Sequence, residues 1–367
     1  MRLDDFDYDL PPEKIAQLPL EQRDASRMLL LDRKSGNFED RVFRDFPELL
    51  KGNELIVVNN ARVLPARLFG RRAGIHAQPV GKNSPIRKQN LSADIEVLLL
   101  RCLVGDEWEA LVRPGRKISV GETITFGNGE LKAEVTSRGS YGQRTLVFSS
   151  NGSVREKIER LGHVPLPPYI KRKDEPSDRE RYQTVFAHNG SAVAAPTAGL
   201  HFTTGMLSAL RKRGIEICEI TLDVGLGTFE PIRTERLEDH AIHKESYEIP
   251  SETVHAVVRA RNSGRAVLAI GTTVVRALED AAEKASRSGN HQNTLLCPGR
   301  FEAEIFLYPG KAFHVVDQLL TNFHLPRSSL LALVSAFAGR DNILRAYRHA
   351  VAANYRFYSY GDCMWIR

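Results

Sequence analysis

At 367 residues, with 42% hydrophobic and 26% charged side chains, the chain has an ordinary globular composition that excludes wholesale disorder and a fibrous architecture, and its length favours two domains at ~150 residues each. The net charge of +6 and pI near 9.1 favour a polyanionic partner, a statement about association only. The best apolar stretch, Leu330 to Ala338, is interrupted by Ser335 and falls short of a ~20-residue membrane span, and Met1-Arg2-Leu3-Asp4-Asp5 lacks the apolar core of a signal peptide, so a cytoplasmic protein without membrane contact is expected.

In chain order, the first clear element is Glu54-Leu55-Ile56-Val57-Val58-Asn59-Asn60, a β-rich run stopped by two turn-forming asparagines, which reads as a buried strand feeding a loop with Arg62 and Arg67. From Arg71 to Ala93 the polar, glycine-containing composition reads as a surface excursion. Strand signals then follow at Ile95 to Leu100, Glu107 to Val112, Thr123 to Phe126, Leu131 to Thr136 and Gln143 to Phe148, with glycines between them and clear alternation in Leu131-Lys132-Ala133-Glu134-Val135. These predict a small antiparallel barrel or sandwich over 65–150.

The pattern then changes. Ser153-Val154-Arg155-Glu156 is a capping box leading a helix with Val154, Ile158 and Leu161 on one face, closed by Gly162. A helix from Thr204 to Gly214, a strand from Glu216 to Val224, a helix from Ser251 to Gly264, a strand from Ala266 to Ile270 and a helix from Thr272 give a βαβ rhythm, and the late helices Ser328 to Ala338 and Asp341 to Ala353 cover the sheet. The fold class expected is α/β: a larger, mainly parallel, barrel-like domain over 1–64 and 151–367, with the small β-barrel domain inserted. Cys102, Cys218, Cys297 and Cys363 form no Cys-x-x-Cys pair and read as reduced thiols.

Four segments could carry chemistry. Ala269-Ile270-Gly271-Thr272-Thr273-Val274-Val275-Arg276 is a strand-to-helix junction, either an anion cradle at a helix N-terminus or an ordinary threonine cap after a tight turn. Leu222 to Glu230 ends a strand and offers Asp223 and Glu230 as acids or bases; Gly225-x-Gly227 is half of a dinucleotide fingerprint whose third glycine position is taken by Glu230, so a Rossmann reading is rejected. Ala194 to Phe202 places Pro196, Thr197 and Gly199 ahead of His201, a constrained loop with either a proton-shuttling or a structural histidine. Thr321 to Ser329 combines Asn322, His324 and Arg327 just before a helix. His240 and His243 stand near Glu238, Asp239 and Glu245, but no convincing third ligand completes a metal site and no metal is expected.

Together these segments resemble the S-adenosylmethionine:tRNA ribosyltransferase-isomerase family of queuosine biosynthesis. The match starts at Phe6-Asp7-Tyr8-Asp9-Leu10-Pro11-Pro12, runs through Arg23 to Arg27, Asn59 to Val63, Arg113-Pro114-Gly115, Arg181 to Val185, the Ala194 to Thr203 run, Asp223 to Pro231, Ile270 to Glu279 and Thr321 to Phe337, and ends in Tyr355-Arg356-Phe357-Tyr358-Ser359-Tyr360-Gly361-Asp362. The chain departs from the family in its long Arg71 to Ala93 excursion and in Cys363 and Ser329, where Ala and Thr are common.

The resemblance implies a monomer that transfers and isomerises the ribosyl part of S-adenosylmethionine onto the aminomethyl group of 7-aminomethyl-7-deazaguanine at the wobble position of tRNA, leaving epoxyqueuosine and releasing adenine and methionine. That chemistry needs a base near C5′, acidified by the adjacent sulfonium, a proton source for adenine, and donors to a developing alkoxide. On this reading Asp223 or Glu230 and His201 or His324 share the proton transfers. Thr197, Gly199, Gly225, Gly227, Thr228, Phe229, Gly271, Thr272, Thr273, Arg276 and Asn322 bind the donor, and Arg62, Arg113, Lys171 and Arg172 contact RNA. An RNA-binding module without chemistry and an ordinary methyltransferase are the alternatives, separated by the products.

Overall fold

The computed structural model describes residues 1–74, 94–225, 232, 234–287 and 295–367. Most of the Arg71 to Ala93 excursion lies outside the described residues, as do Gly227, Thr228, Phe229 and Glu230. The chain divides into two compact units, one of Met1–Arg62, Pro167–Lys173 and Glu180–Arg367, the other of Val63–Leu166 and Asp174–Arg179. No helix among the described residues is long and apolar enough to cross a membrane.

Strands β1 (Arg27–Leu31), β2 (Phe38–Val42) and β3 (Leu55–Asn59) are followed by the short β4 (Ala61–Val63) and then by β5 (Arg67–Gly74), β6 (Asp94–Cys102), β7 (Glu107–Arg113), β8 (Thr123–Phe126), β9 (Leu131–Arg138) and β10 (Gln143–Ser150). After the short β11 (Asn189–Ala192) come β12 (Glu216–Leu222), β13 (Glu245–Ile249), β14 (Val267–Ile270), β15 (Gly299–Ala303), β16 (Gln318–Asn322) and β17 (Cys363–Ile366).

In the larger unit the described strands make one nine-stranded sheet in the order β15-β13-β12-β3-β14-β16-β17-β1-β2. At its centre β12, β3, β14 and β16 run parallel. The flanks are different: β13 pairs antiparallel with β12 and β15, β17 with β16, and β2 with β1. The sheet is therefore mixed, with the parallel, helix-covered centre that helix–strand alternation predicts and with β15 and β2 at the ends of the strand order. The β1–β2 hairpin and the C-terminal β17 fall outside that alternation, which reports only the central crossovers.

Apolar residues on successive positions of the central strands face opposite sides, as the two-residue period of a strand requires. Leu55, Val57, Val267 and Ala269 pack into one buried cluster with helices Ser251–Asn262, Thr272–Arg287, Ser329–Ala338 and Arg340–Ala352. Ile56, Val58, Leu268 and Ile270 pack into another with Met206, Leu207 and Leu210 of helix Thr204–Lys212. A sheet covered on both faces leaves strand ends as its accessible backbone, and the parallel pairing of β14 with β16 puts their carboxyl ends side by side.

The smaller unit holds a closed antiparallel barrel of six strands in the order β10-β7-β6-β5-β8-β9. Its interior is made by the alternation visible in sequence: Leu131, Ala133 and Val135 are buried while Lys132 and Glu134 are exposed. Helix Val154–Leu161 begins where Ser153 accepts the Glu156 N–H at 3.2 Å, and packs on β9 and β10. Gly162 follows it with an ordinary backbone angle. Its lack of a side chain matters because a Cβ there would lie 1.8 Å from the Pro65 carbonyl oxygen.

Candidate active site

The carboxyl end of β14 turns sharply at Gly271 (φ +97°), whose N–H donates to the Leu320 carbonyl at 2.8 Å. Only a residue without a Cβ adopts that angle freely. Helix Thr272–Arg287 starts at once, and the first N–H groups of a helix have no intrahelical acceptor. The neighbouring β16 ends at Asn322 and leads into Phe323 and His324. Between these ends lies a cavity of about 240 Å³, closed by Ala194 to Ala198, Val224, Leu325 to Ser328, Leu330, Tyr169, Tyr358 and Ser359.

Polar atoms in this cavity wall are left without partners. Asn322 is buried and donates Nδ2 to the Tyr358 carbonyl at 2.9 Å, while its Oδ1 has no hydrogen-bond partner, and Thr273 Oγ1 has none either. Buried polar groups are normally paired, and the Asn322 side chain also acts on the buried His201 imidazole, whose Nε2 has no other partner. His324 is fixed on several sides: its Nε2 meets Thr321 Oγ1 at 2.9 Å, its N–H donates to the Tyr347 hydroxyl at 3.0 Å, and its carbonyl accepts from Tyr8 Oη. Burial pushes its imidazole down to about 3, so it is neutral near pH 7. The Tyr169 and Tyr358 rings meet at 4.1 Å between centroids, and burial raises both phenols well above their ordinary value, leaving them as protonated donors.

Of the residues singled out in the sequence, Thr197, Gly271, Thr272, Thr273, Asn322 and His324 come together around this one cavity. His201 does not line it. It ends the short 3-10 turn Thr197–His201 and is buried beside the Phe43 ring at 5.3 Å, with Nδ1 against Ser26 Oγ at 2.8 Å. Burial drives its pKa down to about 4; Asn322 opposes the shift and Arg23 and Arg356 add to it. Gly199 also turns away: a Cβ there would sit 2.6 Å from Phe186 Cζ and 2.7 Å from Thr184 Cγ2, so its small size serves the packing of the turn.

Asp223 donates its N–H to the Ser246 carbonyl at 3.0 Å, and its neighbour Val224 lines the cavity in its place. Arg276 is in a second, smaller compartment that shares Leu330 with the first. There it forms a buried ion pair with Glu245, donates Nη2 to the His243 carbonyl at 3.2 Å, and leaves Nε without a partner. Gly225 donates its N–H to Glu245 Oε1 at 3.1 Å, which ties the Asp223 segment to this pair.

Among the proposed RNA contacts, Arg113 and Lys171 are exposed and Arg62 is half-buried. Arg172 is committed to the chain itself, donating Nε to the Gln17 carbonyl at 3.0 Å and Nη1 to the Lys173 carbonyl at 2.9 Å. His240 packs on the Phe306 ring, and among the described residues no cluster of three or more metal-binding side chains is present. Tyr169, Tyr358 and Ser359 are cavity residues that motif reasoning did not select. The aromatic density of Tyr355 to Tyr360 was the available signal.

A family model described as queuosine biosynthesis protein matches residues 3–366. A relative in Solibacter usitatus, named S-adenosylmethionine:tRNA ribosyltransferase-isomerase, is 52% identical over 368 residues and covers 100% of both chains. One of the same name in Moorella thermoacetica is 49% identical, again over 100% of both. The solved structure of an S-adenosylmethionine tRNA ribosyltransferase from Thermotoga maritima is similar at 35% identity, covering 99% of this chain and 100% of the other with a TM-score of 0.52.

Proposed function

The chain belongs to the queuosine biosynthesis protein family as an S-adenosylmethionine:tRNA ribosyltransferase-isomerase, and we propose that the cavity at the ends of β14 and β16 is where it moves the ribosyl group of S-adenosylmethionine onto tRNA carrying 7-aminomethyl-7-deazaguanine. The observation that carries this assignment is the cavity itself, at the adjoining carboxyl ends of two parallel strands, with a helix N-terminus and the polar atoms of Thr273 and Asn322 among its lining residues. In this reading those atoms bind the ribose hydroxyls and the backbone of Gly271 to Thr273 stabilises the alkoxide that forms as the ring rearranges. The methionyl end extends toward Arg276 and Glu245, across Leu330.

The reaction needs a proton taken from C5′ beside the sulfonium and a proton given to adenine as it leaves. A buried imidazole held near 3 is a weak base, and a sulfonium beside it weakens it further, so His324 serves as a neutral hydrogen-bonding group. The cavity wall among the described residues contains no carboxylate. We assign the base to Asp223 or Glu230, the carboxylates of the segment whose Val224 lines the cavity. His201, behind the wall, positions rather than transfers protons. The products are epoxyqueuosine in the tRNA, free adenine and methionine.

Incubating the protein with S-adenosylmethionine and tRNA bearing the deazaguanine tests the reading. Stoichiometric adenine and methionine are expected. S-adenosylhomocysteine instead would make it a methyltransferase, and tRNA binding with no small product would leave only a binding module.

A further inference from the structure

The hairpin between β9 and β10 ends in Gly139-Ser140-Tyr141-Gly142. Gln143 donates its N–H to the Ser140 carbonyl at 2.9 Å, and Tyr141 and Gly142 both have positive φ, +52° and +91°. Two such residues in a two-residue hairpin loop make a turn whose first corner favours Asn, Asp or Gly, because a β-carbon crowds the carbonyl there. A tyrosine is costly at that corner, and nothing in the fold repays the cost, since Tyr141 is 94% exposed. An outlier with no packing role points to function.

The surroundings say which kind. Val112 donates its N–H to the Gly142 carbonyl at 3.0 Å, which seats Arg113 beside the tip, and a Cβ on Gly115 would lie 3.2 Å from Gly142 Cα, which seats Arg116 there too. Arg138 is on the β9 arm, paired across the hairpin with Arg144. Buried Arg144 donates to the carbonyls of Gly115 and Ile118, clamping the loop to β10. Arg113, Arg116 and Arg138 are exposed, and residues 110–121 and 135–150 contain no Asp or Glu.

We propose that this barrel tip is an RNA-docking surface, with an unpaired base stacking on the Tyr141 ring and the flanking phosphates held by Arg113, Arg116 and Arg138. Exposed guanidinium clusters fit a phosphate backbone, and an exposed ring offers a face to any base. The proposal rests on the reading that tRNA is the substrate, and adds where it is gripped.

Fluorescence anisotropy with a labelled anticodon stem–loop and with full-length tRNA provides the test, alongside the KM for S-adenosylmethionine and the thermal midpoint. Tyr141→Asn should weaken RNA binding about tenfold while Tyr141→Trp stays within about twofold of the parent. Because Asn suits the turn, the midpoint of Tyr141→Asn should be unchanged or higher, and the S-adenosylmethionine KM unchanged. Arg116→Ala and Arg138→Ala should each flatten the salt dependence of log K by roughly 0.7–0.9. Parent protein that binds tRNA no better than Tyr141→Asn does overturns the surface alone. Parent protein that binds no tRNA at all overturns the substrate reading and the surface with it, and a Tyr141→Asn variant that loses self-association instead of RNA binding assigns the tip to protein contact.

Discussion

Replacing Asn322 by Ala separates a ligand-binding role from a structural one. In the free protein the side chain donates one hydrogen bond, Nδ2 to the Tyr358 carbonyl at 2.9 Å, and keeps Oδ1 buried without a partner. Losing the bond removes about 1 kcal/mol, while losing the unmet acceptor returns a similar amount, since burying such an atom costs ~1–3 kcal/mol. The two terms oppose each other, so the folding free energy should change by no more than about 1 kcal/mol. With substrate bound the balance differs, because Oδ1 then has a ribose hydroxyl as donor and its removal forfeits about 0.5–1.5 kcal/mol, equivalent to a rise in Kd of roughly twofold to tenfold. Calorimetric titration with S-adenosylmethionine and a urea denaturation curve measure the two quantities on the same variant. Unchanged affinity, or a stability loss of several kcal/mol, would refute the reasoning.

Three further outcomes follow from the same structure. Burial holds His324 down to about 3 and His201 to about 4, against an ordinary 6.5. The unfolded chain therefore binds more protons between those limits, and stability that is complete above about pH 6.5 is lost as pH falls toward the folded values, about 2 kcal/mol per histidine between pH 7 and pH 5. Urea midpoints at the two pH values check this, and His324→Gln must flatten the dependence if its burial is the cause. In Gly199→Ala, the new Cβ meets Phe186 and Thr184 at 2.6 and 2.7 Å, and overpacking of ~1–3 kcal/mol should lower the thermal midpoint and the S-adenosylmethionine affinity together, because Pro196 to Ala198 move with it. Glu245→Gln strands the buried Arg276 guanidinium and should cost ~3–5 kcal/mol in denaturant unfolding, with much of it recovered in Glu245→Gln/Arg276→Met; a single-variant loss below about 1 kcal/mol would show that the pair is solvated.

Some of this was legible in sequence because it depends on local period. Leu131-Lys132-Ala133-Glu134-Val135 declares a strand with one buried face, and Leu55 to Val58 a strand buried on both. What was not legible depends on pairing between distant segments. Nothing near Cys363 to Ile366 says that this stretch enters the sheet between β16 and β1, antiparallel to the first and parallel to the second. The two histidines show the same limit at the site. Each stands between two apolar residues, Leu200 and Phe202 in one case and Phe323 and Leu325 in the other, and sequence treats them alike. Five residues of 3-10 turn carry the chain from Thr197 at the cavity to His201 among Ser26 and Phe43, whereas His324 stands two residues beyond the end of β16 and stays in the wall.

The backbone records where the fold has been held against local preference. Among the described residues, five other than glycine have positive φ: Asn128, Tyr141, Arg327, Asn354 and Tyr358. Asparagine tolerates that region, so Asn128 and Asn354 need no further cause. The remaining three do, since each places a long side chain where a β-carbon is crowded at a cost of roughly 1–2 kcal/mol. Arg327 and Tyr358 both line the cavity, and the Tyr358 carbonyl is the group that Asn322 holds while its own Oδ1 goes unmet. Tyr141 is the remaining one, on the barrel tip. If strain of this kind persists only where surrounding contacts or function sustain it, the cavity and the tip are sustained differently. At the cavity, buried neighbours over-determine the conformation and relaxing it would disturb the wall. At the tip no packing does so, and relief by Tyr141→Asn should leave the fold intact and remove only what the ring binds.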